Sequence, residues 1–369
     1  MNAEVSHETS SDASVSFAER LIAWQQREGR HDLPWQQDVN SYRVWVSEIM
    51  LQQTQVSTVI PYFERFMQRF ADLSSLAAAP LDEVLHLWSG LGYYSRARNL
   101  HASAVKACTQ YGGTLPTDMD SLVALPGIGR STAGAILSLA CGQSQPILDG
   151  NAKRVLCRHA GITGWPGTSA NTKLLWSLAS ARTPAHNAAA YTQAIMDVGA
   201  TLCGRANPRC LLCPVRTDCK SQLDGTTAVI PAPRPKTERP VRQVRFMILR
   251  NTDEGAVWMV KRPPTGIWGG LWCFPELPMQ TTPSQWCQTQ GLLGTPVTTE
   301  LAEIRHSFSH FELRITPTII EFADARSNVL ANGIMDSHEQ QWCKPQALPD
   351  IGLAAPTKRL LTQLVAEHS

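Results

Sequence analysis

The sequence has no run of 18 apolar residues, so no helix in it is expected to span a membrane. It has no marked excess of either charge. Its 33 Lys and Arg against 31 Asp and Glu leave a net charge of +2, so a nucleic-acid surface has to come from local clustering. Residues 1–16 lack the basic and apolar regions of a secretory leader; they are polar, Ser-rich and acidic, and are expected to form a disordered tail. Without an export signal the protein is expected to be cytoplasmic, and its ten cysteines are not expected to form a disulfide framework.

What is present begins with size. A chain of 369 residues, 43% of them hydrophobic, is long enough for two or three domains with real cores. Phe17 to Arg27 carries apolar residues at helical spacing, and Leu33-Pro34-Trp35 reads as an extended loop. In the helical stretch 42–56, Glu48, Gln52 and Gln55 share one face. A Glu in such an apolar context costs free energy unless it is paired or protonated, and burial raises its pKa towards that of a general acid. Further helices flank the glycine turn Gly90-Leu91-Gly92-Tyr93-Tyr94, and Arg96 and Arg98 beside it suit phosphate contacts.

The stretch Leu125-Pro126-Gly127-Ile128-Gly129-Arg130-Ser131-Thr132-Ala133-Gly134 reads as a turn entering a small-residue helix. Gly127 and Gly129 allow φ > 0 or a close backbone approach, and the unpaired N–H groups at the helix start suit an anion. Its spacing is not that of a nucleotide-binding P-loop. Asp149 follows twenty residues after Gly129, with Asn151, Lys153 and Arg154 on the next helix. Cys203, Cys210, Cys213 and Cys219 crowd into seventeen residues, an arrangement that suits zinc or an iron–sulfur cluster. From about residue 223 the chain becomes Pro-rich and basic, as in a semi-rigid linker. Strand patterns follow at 244–249, 257–260 and 313–322, with a closing helix over 356–365; together these suggest an α+β domain.

Leu-Pro-Gly-Ile-Gly followed by that Asp resembles the helix-hairpin-helix DNA glycosylases. Residues 42–56 and 203–219 sharpen the resemblance to the MutY-type adenine DNA glycosylases, over about residues 17–363. The resemblance implies an all-α helix-hairpin-helix fold over 17–222, with a six-helix module near 40–145 and a cluster module of 17–39 plus 146–222. It also implies a linker at 223–243 and a Nudix-like α+β domain over 244–369. The cysteine spacing matches the family's cluster loop, which implies a [4Fe–4S] cofactor on Cys203, Cys210, Cys213 and Cys219.

The implied partner is duplex DNA with adenine opposite 8-oxoguanine or guanine, bound by a monomer without a membrane. Glu48 would protonate the extruded adenine, Asp149 would stabilise the oxocarbenium-like sugar and Asn151 would assist the water. Gln53, Leu91, Tyr93, Gly127, Gly129, Ser131 and Lys153 would meet DNA, with Gln53 filling the emptied stack and Tyr93 with Leu91 forming a wedge. Trp35 would lie near the extruded base, and Phe308, Ser309 and His310 would read 8-oxoguanine. Residues 266–275 resemble the region before the catalytic box of Nudix hydrolases, yet residues 277–292 contain no Asp or Glu to hold a metal, which points to recognition rather than hydrolysis. Ser131 stands where the related lyases carry a Lys, so a monofunctional glycosylase is expected. The alternatives are a lyase acting on oxidised pyrimidines and a redox-cluster DNA-binding protein. Strand scission with and without alkali separates the three.

Overall fold

The structure, a computed structural model, describes residues 15–235, 238–290, 297–308, 310–322, 339–348 and 350–366. The expected tail therefore lies mostly outside the described residues. Its last residue, Ser16, is structured: its Oγ accepts the Glu19 N–H at 3.2 Å while Glu19 accepts the Ser16 N–H at 2.8 Å. This reciprocal cap starts the helix Phe17–Glu28, which buries Leu21 and Trp24.

Two compact units form, Met1–Ile49 with Leu115–Pro235 and Met50–Thr114 with Lys236–Ser369. In the first, helices pack around a core that includes Leu21, Trp24, Leu156, Leu175 and Ile195. Leu33-Pro34-Trp35 departs from the expected extended loop. Residues Pro34–Gln36 form a 3-10 turn, closed by the Gln36 N–H to the Leu33 carbonyl, and Trp35 is buried. The helix Arg130–Cys141 follows the glycine turn, and its Gly134 makes a close approach. A Cβ there would stand 2.5 Å from the Pro146 carbonyl oxygen. Asp149 then caps the helix Gly150–Ala160. The first half of the Pro-rich stretch is docked, with Ile230 buried in this core and its carbonyl bonded by Arg158 at 2.8 Å.

The second unit combines the helices of residues 50–114 with a mixed sheet. The strands are β1 (Val241–Asn251), β2 (Val257–Lys261), β3 (Trp272–Cys273), β4 (Glu276–Pro278), β5 (Val297–Glu300), β6 (Ile304–Ser307), β7 (Glu312–Phe322) and β8 (Gln340–Cys343). The main order is β3-β2-β1-β7-β5, with β4 on β1, β6 on β7 and β8 on β2. Only the long β1–β7 pair among these is parallel; every other pairing is antiparallel. Alternating apolar residues explain the burial of Met247, Leu249, Trp258 and Ile320 in one core with Trp286 and Cys287. The closing helix is Ala355–Ala366.

Candidate active site

Two carboxyl groups come together in the first unit. Glu48 lies on the helix Ser41–Leu51, and apolar residues on either side of it, Trp45, Val46, Ile49 and Met50, are buried. Its side chain is half-buried, and no hydrogen bond holds its carboxyl among the described residues. The surrounding protein, and secondarily the Asp149 charge, push its pKa up to about 8. A carboxyl in that state keeps its proton at neutral pH and has it free to give.

Asp149 is fixed differently. Its Oδ2 accepts the Asn151 N–H at 3.0 Å and its Oδ1 the Ala152 N–H at 2.8 Å. Burial raises its pKa, against the pull of these two bonds and of the Arg154 and Lys153 cations. The helix start therefore both orients the carboxylate and supplies compensating partial charge.

The neighbours of Asp149 are held from both sides. The Ser131 Oγ accepts the Leu148 N–H at 3.0 Å. Arg154 donates to the Asn151 Oδ1 at 2.8 Å, to the Cys203 carbonyl at 2.6 Å and to the Gly199 carbonyl. The sequence puts Arg154 on this helix beside Lys153; the structure turns it inward as a tie between the Asp149 helix and the cysteine loop.

Cys203, Cys210, Cys213 and Cys219 line one cavity, walled by Val155, Leu202 and Val215. Arg158 reaches this loop, donating to the Cys203 Sγ at 3.3 Å and the Gly204 carbonyl at 2.7 Å. No three described His, Cys, Asp or Glu side chains converge closely enough to hold a single metal ion.

In the hairpin turn, Gly127 has φ +78°, as expected for a tight turn. Gly129 does not share it: at φ −92° it is the extended N-cap of the following helix, and open space lies where a Cβ would be. Its contribution is an uncovered backbone rather than a left-handed conformation.

In the second unit, Gln53 and Tyr93 are both exposed and both left-handed, at φ +59° and +49°. A single buried guanidinium supports both turns. Arg96 donates to the carbonyls of Met50 at 2.8 Å and Gln52 at 2.6 Å, and to those of Leu91 and Gly92 at 3.1 Å each. Arg96 is thus not available to a phosphate, because Arg is the one side chain whose fork can satisfy several turn carbonyls at once. Leu91, expected as part of an exposed wedge, is buried under the turn; Tyr93 alone projects from it.

In the sheet, Phe308 is half-buried. It stacks on Phe311 with centroids 4.6 Å apart and packs against Trp268 and His306. His310 is exposed, and Ser309 lies outside the described residues. Trp35 is buried in its turn.

Two family models match the chain. Residues 46–181 match the HhH-GPD superfamily base excision DNA repair protein model, and residues 245–363 match the NUDIX domain model. An adenine DNA glycosylase of Buchnera aphidicola subsp. Acyrthosiphon pisum is 37% identical over 345 residues, which cover 94% of this chain and 96% of that protein. The chain belongs to the adenine DNA glycosylase family. The human adenine DNA glycosylase is 35% identical over 81% of this chain and 66% of its own length. The structure of a thermostable thymine-DNA glycosylase superposes with a TM-score of 0.51 at 25% identity, covering 56% of this chain and 95% of that one. The chain therefore joins a helical HhH-GPD fold to a Nudix-like sheet domain, as the resemblance implied. No described helix is long and apolar enough to cross a membrane.

Proposed function

We propose that the protein excises adenine mispaired with 8-oxoguanine or guanine from duplex DNA by hydrolysis, without strand scission of its own. The observation that carries the reading is the Glu48–Asp149 pair: a carboxyl raised to about 8 that feels the charge of a second, helix-capped carboxylate. Two carboxyl groups driven to different tasks by their surroundings are what a glycosidic cleavage needs.

Adenine has to leave the base stack to reach them. Tyr93 and Gln53, held in their turns by Arg96, suit wedging the duplex and filling the emptied position. Glu48 gives its proton to the adenine ring nitrogen N7, so the base departs with its bonding electrons as a neutral leaving group. Asp149 stabilises the positive charge that grows on the sugar. Water then attacks the sugar and gives its proton to the Glu48 carboxylate as the C1′–O bond forms, with Asn151 orienting it. The uncovered backbone of Gly127 and Gly129 takes a phosphate at the start of the helix, and Lys153 adds a cation. Position 131 carries a hydroxyl, which cannot form a Schiff base with the abasic sugar.

The four cysteines line one cavity and Arg158 donates to one sulfur, a lining of thiols that suits an iron–sulfur group. Cys203, Cys210, Cys213 and Cys219 would hold a [4Fe–4S] cluster that fixes the loop. Phe308, Ser309 and His310 would read the oxidised base from the sheet domain, whose residues 277–292 offer no carboxylate to a catalytic metal.

The test is a duplex with adenine opposite 8-oxoguanine, assayed with and without alkali. Cleavage only after alkali supports a monofunctional glycosylase, cleavage without alkali supports a lyase, and none at all leaves only DNA binding.

A further inference from the structure

One arginine in the second unit has no role in the reading above. Arg98 sits on the helix Ser95–Gln110, three residues into it, and its Nη1 donates to the Gly269 carbonyl at 2.6 Å. No carboxylate pairs with it among the described residues, and partial burial holds its pKa below the usual arginine value. A half-buried cation that spends its hydrogen bond on one backbone carbonyl is a costly way to cover surface. Its partner explains it.

Gly269 belongs to a tightly folded loop. Gly270 N–H bonds the carbonyls of Arg262 and Pro263, and a Cβ on Gly269 would stand 2.4 Å from the Pro264 oxygen. The residue before Gly269 is Trp268, which is buried and left-handed at φ +53°, a strained backbone for a bulky side chain. Its ring packs 5.2 Å from His306 and 5.3 Å from Phe308, centroid to centroid, and touches Phe246 of β1. Trp268 is therefore the platform behind the Phe308 loop.

We propose that Arg98 is a positioning residue for reading the base opposite adenine: by holding the Gly269 carbonyl it fixes Trp268 against His306 and Phe308. The same helix begins just after Tyr93, and its Arg96 supports the Tyr93 and Gln53 turns. Arg98 thus sets the 8-oxoguanine reader at a fixed distance from the wedge. Other contacts already attach the sheet domain to these helices. Lys261 pairs with Asp82 at 2.7 Å, and the Tyr94 hydroxyl bonds the Leu353 carbonyl at 3.3 Å. Losing Arg98 should loosen the loop without detaching the domain. The inference rests on the 8-oxoguanine reading of the previous subsection.

The test is single-turnover excision by the full chain on duplexes with adenine opposite 8-oxoguanine and opposite guanine. Arg98→Met keeps the apolar stem and removes every donor. The ratio of the two rates should fall roughly three- to thirtyfold, mostly through the 8-oxoguanine duplex. Arg98→Lys should recover part of it, since one ammonium can still reach one carbonyl. Trp268→Leu should lower the ratio too, and the double variant Arg98→Met/Trp268→Leu should lose little more than Trp268→Leu alone.

If Arg98→Met does not fold, Arg98→Gln carries the same comparison. A folded variant with the wild-type ratio overturns the inference. So does an equal loss on both duplexes with a shallower salt dependence of binding, which would make Arg98 a phosphate contact. A wild-type protein with no preference between the duplexes overturns the reader and the inference together. A wild-type preference that the variants keep overturns the inference alone.

Discussion

The Ser131 hydroxyl oxygen accepts the Leu148 N–H at 3.0 Å, one residue before Asp149. A side chain expected at a DNA phosphate is therefore also a clamp on the segment that delivers the candidate catalytic carboxylate. Ser131→Ala leaves the buried Leu148 N–H without a partner and should cost about 1–3 kcal/mol of stability. Denaturant unfolding checks it, and excision should fall as well, because Asp149 loses its alignment. Unchanged stability would show that the bond contributes nothing.

Asp149→Asn separates charge from capping. Asn caps a helix about as well as Asp, so stability should change by less than about 1 kcal/mol. Excision should collapse, by several kcal/mol of barrier on the scale of a lost electrostatic stabiliser. Single-turnover rates and a melting curve on the same sample decide it; a large fall in both would mean that the helix, and not the charge, had been removed.

If Glu48 is the general acid proposed above, excision and stability should both depend on pH in a definite direction. With its pKa raised from 4.5 to about 8, the proton is present below about 8, so the general-acid limb should fall as pH rises through that value. The stability sign is opposite to that of a paired carboxylate. Below about 4.5 the folded and unfolded states are both protonated and there is no penalty. Between 4.5 and about 8 only the unfolded state ionises, so stability drops with rising pH. Glu48→Gln should abolish excision yet be more stable than wild type, by about 1–3 kcal/mol at pH 8. A gap that does not grow between pH 5 and 8 would refute this.

Arg96 supports the Gln53 and Tyr93 turns together, so Arg96→Lys should be far from conservative. An ammonium cannot reach four carbonyls in two turns; Gly92 keeps the Trp88 Nε1 donor and Gln52 the Thr54 hydroxyl, so the loss falls on the buried Met50 and Leu91 carbonyls. A loss of about 2–4 kcal/mol is expected, together with weaker binding to a mispaired duplex. Calorimetry and a binding titration test the two parts separately.

The cofactor assignment predicts a yellow-brown protein with iron and acid-labile sulfide near four each per chain. Cys210→Ser should lower both. Stoichiometric zinc without sulfide, in protein made with iron available, would replace the cluster with a different metal.

Much of this was legible in the sequence because the signals were local. Apolar strand patterns marked the sheet, helical spacing marked the Glu48 helix, and four crowded cysteines marked the loop they share. The arginines were not legible. Arg96, Arg98, Arg154 and Arg158 each look like the polar face of a helix, yet each turns inward to carbonyls. Those of Arg96 at Met50 and Arg98 at Gly269 lie 46 and 171 residues away. Nothing in a short window shows that a distant turn has carbonyls to satisfy. The burial of Leu91, which the resemblance set beside Tyr93 in the wedge, was not legible either. A glycine turn advertises exposure, but only φ and packing decide which of its residues faces out, and here it is Tyr93.

Gly134 sets a mechanical tolerance. With the Pro146 oxygen 2.5 Å from where a Cβ would stand, the hairpin helix rests directly on the backbone leading to Asp149, and a single methyl is more than the gap admits. The spacing between the turn proposed to grip DNA and the carboxylate proposed to face the sugar is thus gauged by an atom that is missing. A site built this way has a hard stop rather than a spring: it can be thrown out of alignment from a position that contacts neither the DNA nor the base.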